Sequence, residues 1–301
     1  MVPPNTWRWV GASVRGISHV RDETPCQDAS EIRVCEGGRE GNVLALVVSD
    51  GAGSAPMSRE GSLRAVRSLI QSATNYFAEG HAVADVDEAE LRRWFEIARL
   101  TIEDEALYEE RPIREYACTL LCAVIDNLAA AYAQLGDGAI VAGCGDEIKP
   151  MFWPQQGEFA NTTYFITHPE HFARMATRVH AEVPERIALM SDGLQNLALR
   201  SADQTAHVGF FSPLFNGLKG QSEGPADALV DPLREFLDSP KINARTDDDK
   251  SLLLAVRDLP NAPDGAVEKS QNPTAVDAKG IDSGTPTTDA HLVSGSKEEG
   301  L

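Results

Sequence analysis

The sequence predicts an α+β sandwich in which helices pack outside antiparallel sheets. Strand-like and helix-like segments come in blocks, and two amphipathic helical stretches interrupt the strands between one strand pair and the next. The regular strand-helix alternation of a wound parallel sheet is absent.

Strand-like runs cover residues 7–14, 42–50, 116–126, 128–136, 186–192 and 251–257, each an apolar stretch bounded by turn residues. Two helices lie between the second and third runs. In the first, Val66, Leu69, Ile70, Ala73 and Phe77 recur on one face, with Ser58 near its start. In the second, Asp87 and Glu90 form a capping box ahead of Leu91, Trp94, Phe95, Ala98 and Ile102. Asp126-Asn127 is the hairpin turn joining the third and fourth runs. The aromatic stretch VGFFSPLF at 208–215 is packing or a mobile flap, and Pro169 starts a helix that keeps His168 and His171 out of the site.

From residue 259 the composition changes: Pro260, Pro263, Pro273 and Pro286 are scattered among Gly and Ser, acidic residues outnumber lysines, and there is no Phe, Trp or Tyr. Such a segment buries too little apolar surface to offset its chain entropy. The expected organisation is a folded domain over 5–258 and a disordered acidic tail over 259–301. The folded part is well supplied for a core, since 42% of the 301 residues are hydrophobic.

The net charge of −19, with no compensating Lys/Arg run, repels phosphodiester backbones and anionic lipid. Nucleic acid and membrane surfaces are therefore excluded as expected partners. Pro3, Pro4 and Arg8 interrupt the opening residues where a signal peptide needs an apolar stretch, so a cytoplasmic location is expected. Five cysteines, Cys26, Cys35, Cys118, Cys122 and Cys144, form no paired spacing and are expected as reduced thiols, with Cys118 and Cys122 on one buried strand face.

Four acidic positions stand out. Asp50 and Asp192 each follow a buried run within a Ser-Asp-Gly, Asp137 lies in a Gly-Asp-Gly, and Asp247-Asp248-Asp249 precedes the last run. Asp-Gly is also an ordinary turn dipeptide, so four unrelated solvated turns is the competing reading. Carboxylates with backbone carbonyls are what hard divalent cations prefer, and carboxylates gathered in one place repel one another unless a cation lies between them.

The ordered set GASVRGISHVRDETPCQDAS, VVSDGAGSAPMSREGS, TLLCAVI with LGDGAIV, IALMSDGL and DDDKSLLLAV resembles the metal-dependent serine/threonine phosphatases of the protein phosphatase 2C family, in its bacterial branch. The resemblance implies a four-layer α-β-β-α sandwich of two mainly antiparallel sheets flanked by helices. It also implies a site for two Mg²⁺ or Mn²⁺ ions, with a looser third. Carried over, Asp50 bridges the metals, the Gly51 carbonyl binds one of them, Asp192 and Asp248 are further ligands, and Asp137 serves the third ion. The register among Asp247, Asp248 and Asp249 is open by one residue. Asp28 matches the acidic member of the first motif, acting through water.

Two features depart from the family pattern. Ala52 stands where eukaryotic relatives carry a histidine after the Asp-Gly. The phosphate-binding arginine has an altered spacing, so Arg21 or Arg15 fills that role, and His19 supplies a proton or a hydrogen bond. The implied activity is hydrolysis of phosphomonoesters on a phosphorylated protein by direct attack of a metal-bridging water, by a monomer that opposes a partner kinase. Two alternatives stay open: a catalytically weak regulatory or binding module of the same fold, and a phosphatase of a small phosphorylated metabolite.

Overall fold

The computed structural model describes residues 7–145, 147–155 and 163–258. Met1–Pro260 is one compact unit; the expected tail over 259–301 lies outside the described residues.

The chain builds β1 (Trp7–Val14), α1 (Ile17–Arg21), β2 (Ala29–Cys35), β3 (Val43–Ser49), α2 (Ser58–Ala78), α3 (Glu88–Tyr108), β4 (Leu120–Ile125), β5 (Ala130–Leu135), β6 (Ala139–Cys144) and β7 (Glu147–Pro150). It continues through α4 (His171–Arg174), β8 (Ala176–Ala181), β9 (Arg186–Met190), α5 (Gln195–Ala198), a small ribbon of β10 (Leu199–Arg200) with β11 (Thr205–Ala206), α6 (Val208–Lys219), β12 (Gly224–Pro225), α7 (Val230–Leu237), α8 (Pro240–Asn243) and β13 (Lys250–Arg257). One sheet has the order β12-β1-β13-β9-β6-β7 and the other β2-β3-β4-β5-β8. Neighbouring strands are antiparallel except for β12 beside β1.

The strand period of two explains the layering. On β3, Val43, Ala45 and Val47 face α2 and α3, while Leu44, Leu46 and Val48 face the other sheet. On β13, Leu253 and Ala255 meet that inner layer, while Leu252, Leu254 and Val256 pack with Phe211, Phe215, Leu233 and Leu237 of α6 and α7. Three apolar interfaces thus separate four layers, helices outermost. Strands covered on both faces read as near-continuous apolar runs, which is why β3 and β13 lack polar alternation.

Both long helices form where periodicity places them, with Val66, Leu69, Ile70, Ala73 and Phe77 of α2 and Leu91, Trp94, Phe95, Ala98 and Ile102 of α3 buried. Half of the capping box forms: Asp87 accepts from Glu90 N at 2.8 Å, while the Glu90 carboxylate turns to Arg93. At the hairpin, Asp126 Oδ1 accepts from the backbone of Leu128 and Ala129, and Oδ2 accepts from Val83 N. That carboxylate ties the turn to the start of the α3 segment.

Several expectations need correction. The run over 116–126 becomes a strand only from Leu120, because Ala117 and Thr119 hydrogen-bond to Ala52 and Asp50 instead. The 208–215 stretch is helical packing: it lies in α6, with Phe211 and Phe215 buried against the sheet. The helix expected at Pro169 is the single turn α4, beginning at His171, whose Nε2 lies 3.3 Å from Glu96 Oε2. β2, β6, β7 and β8 escaped the pattern, since edge strands such as β8 alternate weakly and the Gly-Asp-Gly before β6 masks its start. The thiols of Cys118 and Cys122 are buried and unbridged. Among the described residues, no helix is long and apolar enough to cross a membrane.

Candidate active site

The acidic positions gather at one end of the sandwich because each lies at a strand terminus. Asp28 immediately precedes β2, Asp50 follows β3, Asp137 sits in the turn between β5 and β6, Asp192 follows β9, and Asp248 is two residues ahead of β13. Asp50, Gly51, Asp137, Asp192 and Asp248 line one cleft of about 380 Å³, together with His19, Thr119 and Phe165.

The loop after β3 is fixed from both sides. Thr119 Oγ1 accepts from Asp50 N at 2.9 Å, Thr119 N donates to Asp50 O at 2.8 Å, and Gly51 bridges Cys118. After β9, a side chain at Gly193 would meet the Asp249 carbonyl at 2.0 Å. Glycine therefore permits the close approach of the Asp192 turn to the segment carrying Asp248.

Three neighbouring aspartates have different surroundings. Asp247 is exposed and gives its carbonyl to Ser18, whose N and Oγ donate at 2.9 and 2.7 Å. Asp249 is 2% exposed and accepts from Gly16 N and Gln27 N, each at 2.6 Å. Asp248 alone of the three lines the cleft, its Oδ1 accepting from Asp249 N at 2.8 Å.

Burial and mutual repulsion raise the carboxyls of Asp28, Asp50, Asp137 and Asp248. Asp50 stands well above the usual carboxylate range, through burial and then the charges of Asp28, Asp192 and Asp248. Burial, then Asp192, pushes Asp137 up to about 7. Asp28 reaches about 7 by burial, opposed by the hydrogen bond from Ser191. Asp248 is raised chiefly by burial and Asp192.

Among the described residues, no three carboxylate, imidazole or thiolate groups stand ready-made to hold a metal. The case for a cation comes from the donor chemistry. Asp28 Oδ1 and Asp192 Oδ1 are buried oxygens without a hydrogen-bond partner. The charges acting on the cleft carboxyls are those of further aspartates, and carboxylate oxygens of this kind are the donor set that suits a hard divalent ion. The residues fit.

His19 lines the cleft and is the one basic side chain among its described lining residues. Arg21 does not enter: it is exposed, with Nε 2.9 Å from Asp22 Oδ1. The two positions are two residues apart on α1, about 200° around a helix, so when His19 faces the cleft Arg21 faces solvent. Arg15 is also absent from the lining and donates to the His19 carbonyl at 2.7 Å. The roles of Thr119 and of Ser191 in holding Asp50 and Asp28 were missed by the sequence reading. Ser191 was visible within Ser-Asp-Gly, whereas nothing local distinguishes Thr119.

The sequence profile described as Protein phosphatase 2C matches residues 15–238, ending ahead of the Asp248 segment. Serine/threonine-protein phosphatase 3 of Escherichia coli (strain K12) is 34% identical over 251 residues, 83% of this chain and 98% of that protein. A crystal structure of a bacterial serine phosphatase is similar with a TM-score of 0.58 at 15% identity, over 86% of this chain and 100% of the other. The serine/threonine phosphatase Stp1 from Staphylococcus aureus gives a TM-score of 0.55 at 15% identity, over 86% and 98%. At such identities the two structures speak for the fold. With the profile spanning well over half the chain and the enzyme relative matched almost end to end, this chain belongs to the protein phosphatase 2C family of metal-dependent serine/threonine phosphatases.

Proposed function

We propose that the chain removes phosphate from serine or threonine residues of a phosphorylated protein, opposing a partner kinase, with Asp50, the Gly51 carbonyl, Asp192 and Asp248 holding two Mg²⁺ or Mn²⁺ ions. Asp137 serves a looser third, and Asp28 acts through water. The observation that carries this reading is the convergence on one cleft of raised carboxyls from both sheets, two of whose neighbouring oxygens are buried and unpartnered. The bound ions would supply an acidified water and neutralise the phosphate oxygens.

The chain's own contribution is placement. Thr119 holds the Asp50 backbone, Ser191 holds Asp28, and the Asp249 carboxylate, accepting from two backbone N–H groups, anchors the segment that presents Asp248. A single described unit supplies all these groups, which suits a monomer.

The test is Mn²⁺-dependent release of phosphate from para-nitrophenyl phosphate and from a phosphoserine peptide, abolished by a chelator and restored by Mn²⁺. Absence of turnover by folded protein with either Mn²⁺ or Mg²⁺ overturns the reading. A second reading, a catalytically weak module of the same fold, is favoured by one observation, that no arginine is among the described lining residues of the cleft. The same assay separates the two.

A further inference from the structure

The family loop after Asp50-Gly51 continues here with Ala52, which has no proton to give. The cleft nevertheless holds one imidazole. His19 is carried on α1, a helix of five residues whose place is set by the segment ahead of β13. Ser18 N and Oγ donate to the Asp247 carbonyl, and Gly16 N donates to Asp249 Oδ1 at 2.6 Å. A side chain at Gly16 would meet the backbone of Asp248 at 2.4 Å, so only glycine permits this approach. The His19 carbonyl is held by Arg15 Nη2 at 2.7 Å and Thr24 N at 2.9 Å.

The ring lies against the same carboxylate. His19 Nδ1 lies 2.9 Å from Asp249 Oδ1, although the N–H does not aim along that contact closely enough to count as a hydrogen bond. The imidazole is 14% exposed and the carboxylate 2%. A buried carboxylate beside Nδ1 orients the ring and directs the other nitrogen away from itself. Around it the cleft is lined by Asp50, Asp192 and Asp248.

We propose that His19 is the general acid of the reaction and that Asp249 is its positioning residue rather than a metal ligand. In the doubly protonated ring, Nδ1–H stays toward Asp249 and Nε2–H faces the phosphate ester. As the attacking water's oxygen bonds to phosphorus, the bond from phosphorus to the seryl oxygen breaks, and the Nε2 proton passes to that oxygen. The products are the free hydroxyl and inorganic phosphate. The attacking water's proton leaves to solvent, and neutral His19 regains a proton from solvent. This inference rests on the phosphatase reading above.

General acid catalysis matters in proportion to how poor the leaving group is. The experiment compares His19→Gln with wild type, both with saturating Mn²⁺, on para-nitrophenyl phosphate, which leaves without help, and on phenyl phosphate and a phosphoserine peptide, which do not. The expected result is a loss of about 100-fold or more in kcat on the two poor leaving groups, with a far smaller loss on para-nitrophenyl phosphate. Asp249→Asn should show the same leaving-group dependence more weakly, with a changed ¹⁵N NMR signature of the His19 ring nitrogens. Thermal unfolding establishes that each variant is folded, and His19→Gln carries the test if Asp249→Asn is not.

Equal losses on all three substrates, or no loss, overturn the proposal. They leave solvent as the proton source. Wild-type protein without divalent-dependent turnover removes the phosphatase reading and this inference with it.

Discussion

Ser191 Oγ donates a 2.7 Å hydrogen bond to Asp28 Oδ2 and accepts from Ser251 N at 2.9 Å. The end of β9 in one sheet is thereby tied to the start of β2 in the other, with both partners buried. Of the two Ser-Asp-Gly strand ends, this one uses its serine to join sheets. The other uses Ser49 Oγ to bind the Thr119 carbonyl.

Ser191→Ala removes the 2.7 Å hydrogen bond that Ser191 Oγ donates to Asp28 Oδ2. A hydrogen bond to a charged group contributes about 1.5–3 kcal/mol, and loss of that size is expected in urea unfolding above pH 7, where Asp28 is ionised. A loss below about 0.5 kcal/mol would show that the sheets are held at this end by other contacts.

Asp50→Asn should abolish Mn²⁺-dependent phosphatase activity. In metal-free protein at neutral pH it should raise the melting temperature, because it removes a buried carboxyl whose ionisation is opposed by burial and by the charges of Asp28, Asp192 and Asp248. Calorimetry with a chelator and phosphate release with Mn²⁺ measure the two effects. Retained activity, or a lower metal-free melting temperature, contradicts the assignment.

The pH dependence of the metal-free protein follows from the raised carboxyls. Asp28 and Asp137 titrate at about 7 when folded and at about 3.9 when unfolded, so the folded state binds the extra protons. Their contribution is fully present below about pH 4 and is lost as pH rises through 7. Between pH 5 and 8 the metal-free melting temperature should fall. Added Mn²⁺ should reverse this, with an increment that grows with pH, because ligands bind metal deprotonated. A melting curve that is flat or rises over this range without metal would disprove the repulsive cluster.

Gly193→Ala places a methyl group 2.0 Å from the Asp249 carbonyl, which is backbone and has little room to retreat. Overpacking of this kind costs about 1–3 kcal/mol. It should also lower phosphatase activity, by shifting the segment that presents Asp248. Unchanged stability and kcat would mean that the two turns have more freedom than their packing indicates.

Much of the fold was legible because its signals are local. The 3.6-residue period of α2 and α3, the unbroken apolar runs of β3 and β13, and the Asp126 turn each report a backbone choice made over a few residues. Edge strands such as β8 carry weaker signals, since one face and one edge lack a partner. The strand-end aspartates were legible for a similar reason: an apolar run ending in Asp-Gly marks both a buried strand and the place where it emerges.

What the amino-acid sequence determined by itself was the sandwich class, the two long helices and the set of acidic strand ends. Only the tertiary structure decided that Asp248 lines the cleft while Asp247 and Asp249 hold α1, and that His19 faces inward while Arg21 faces solvent. The physical reason is range. Periodicity and turn chemistry act between near neighbours, whereas Gly16 N meets Asp249 across 233 positions of the chain, a contact set by how two sheets pack and not by any local preference.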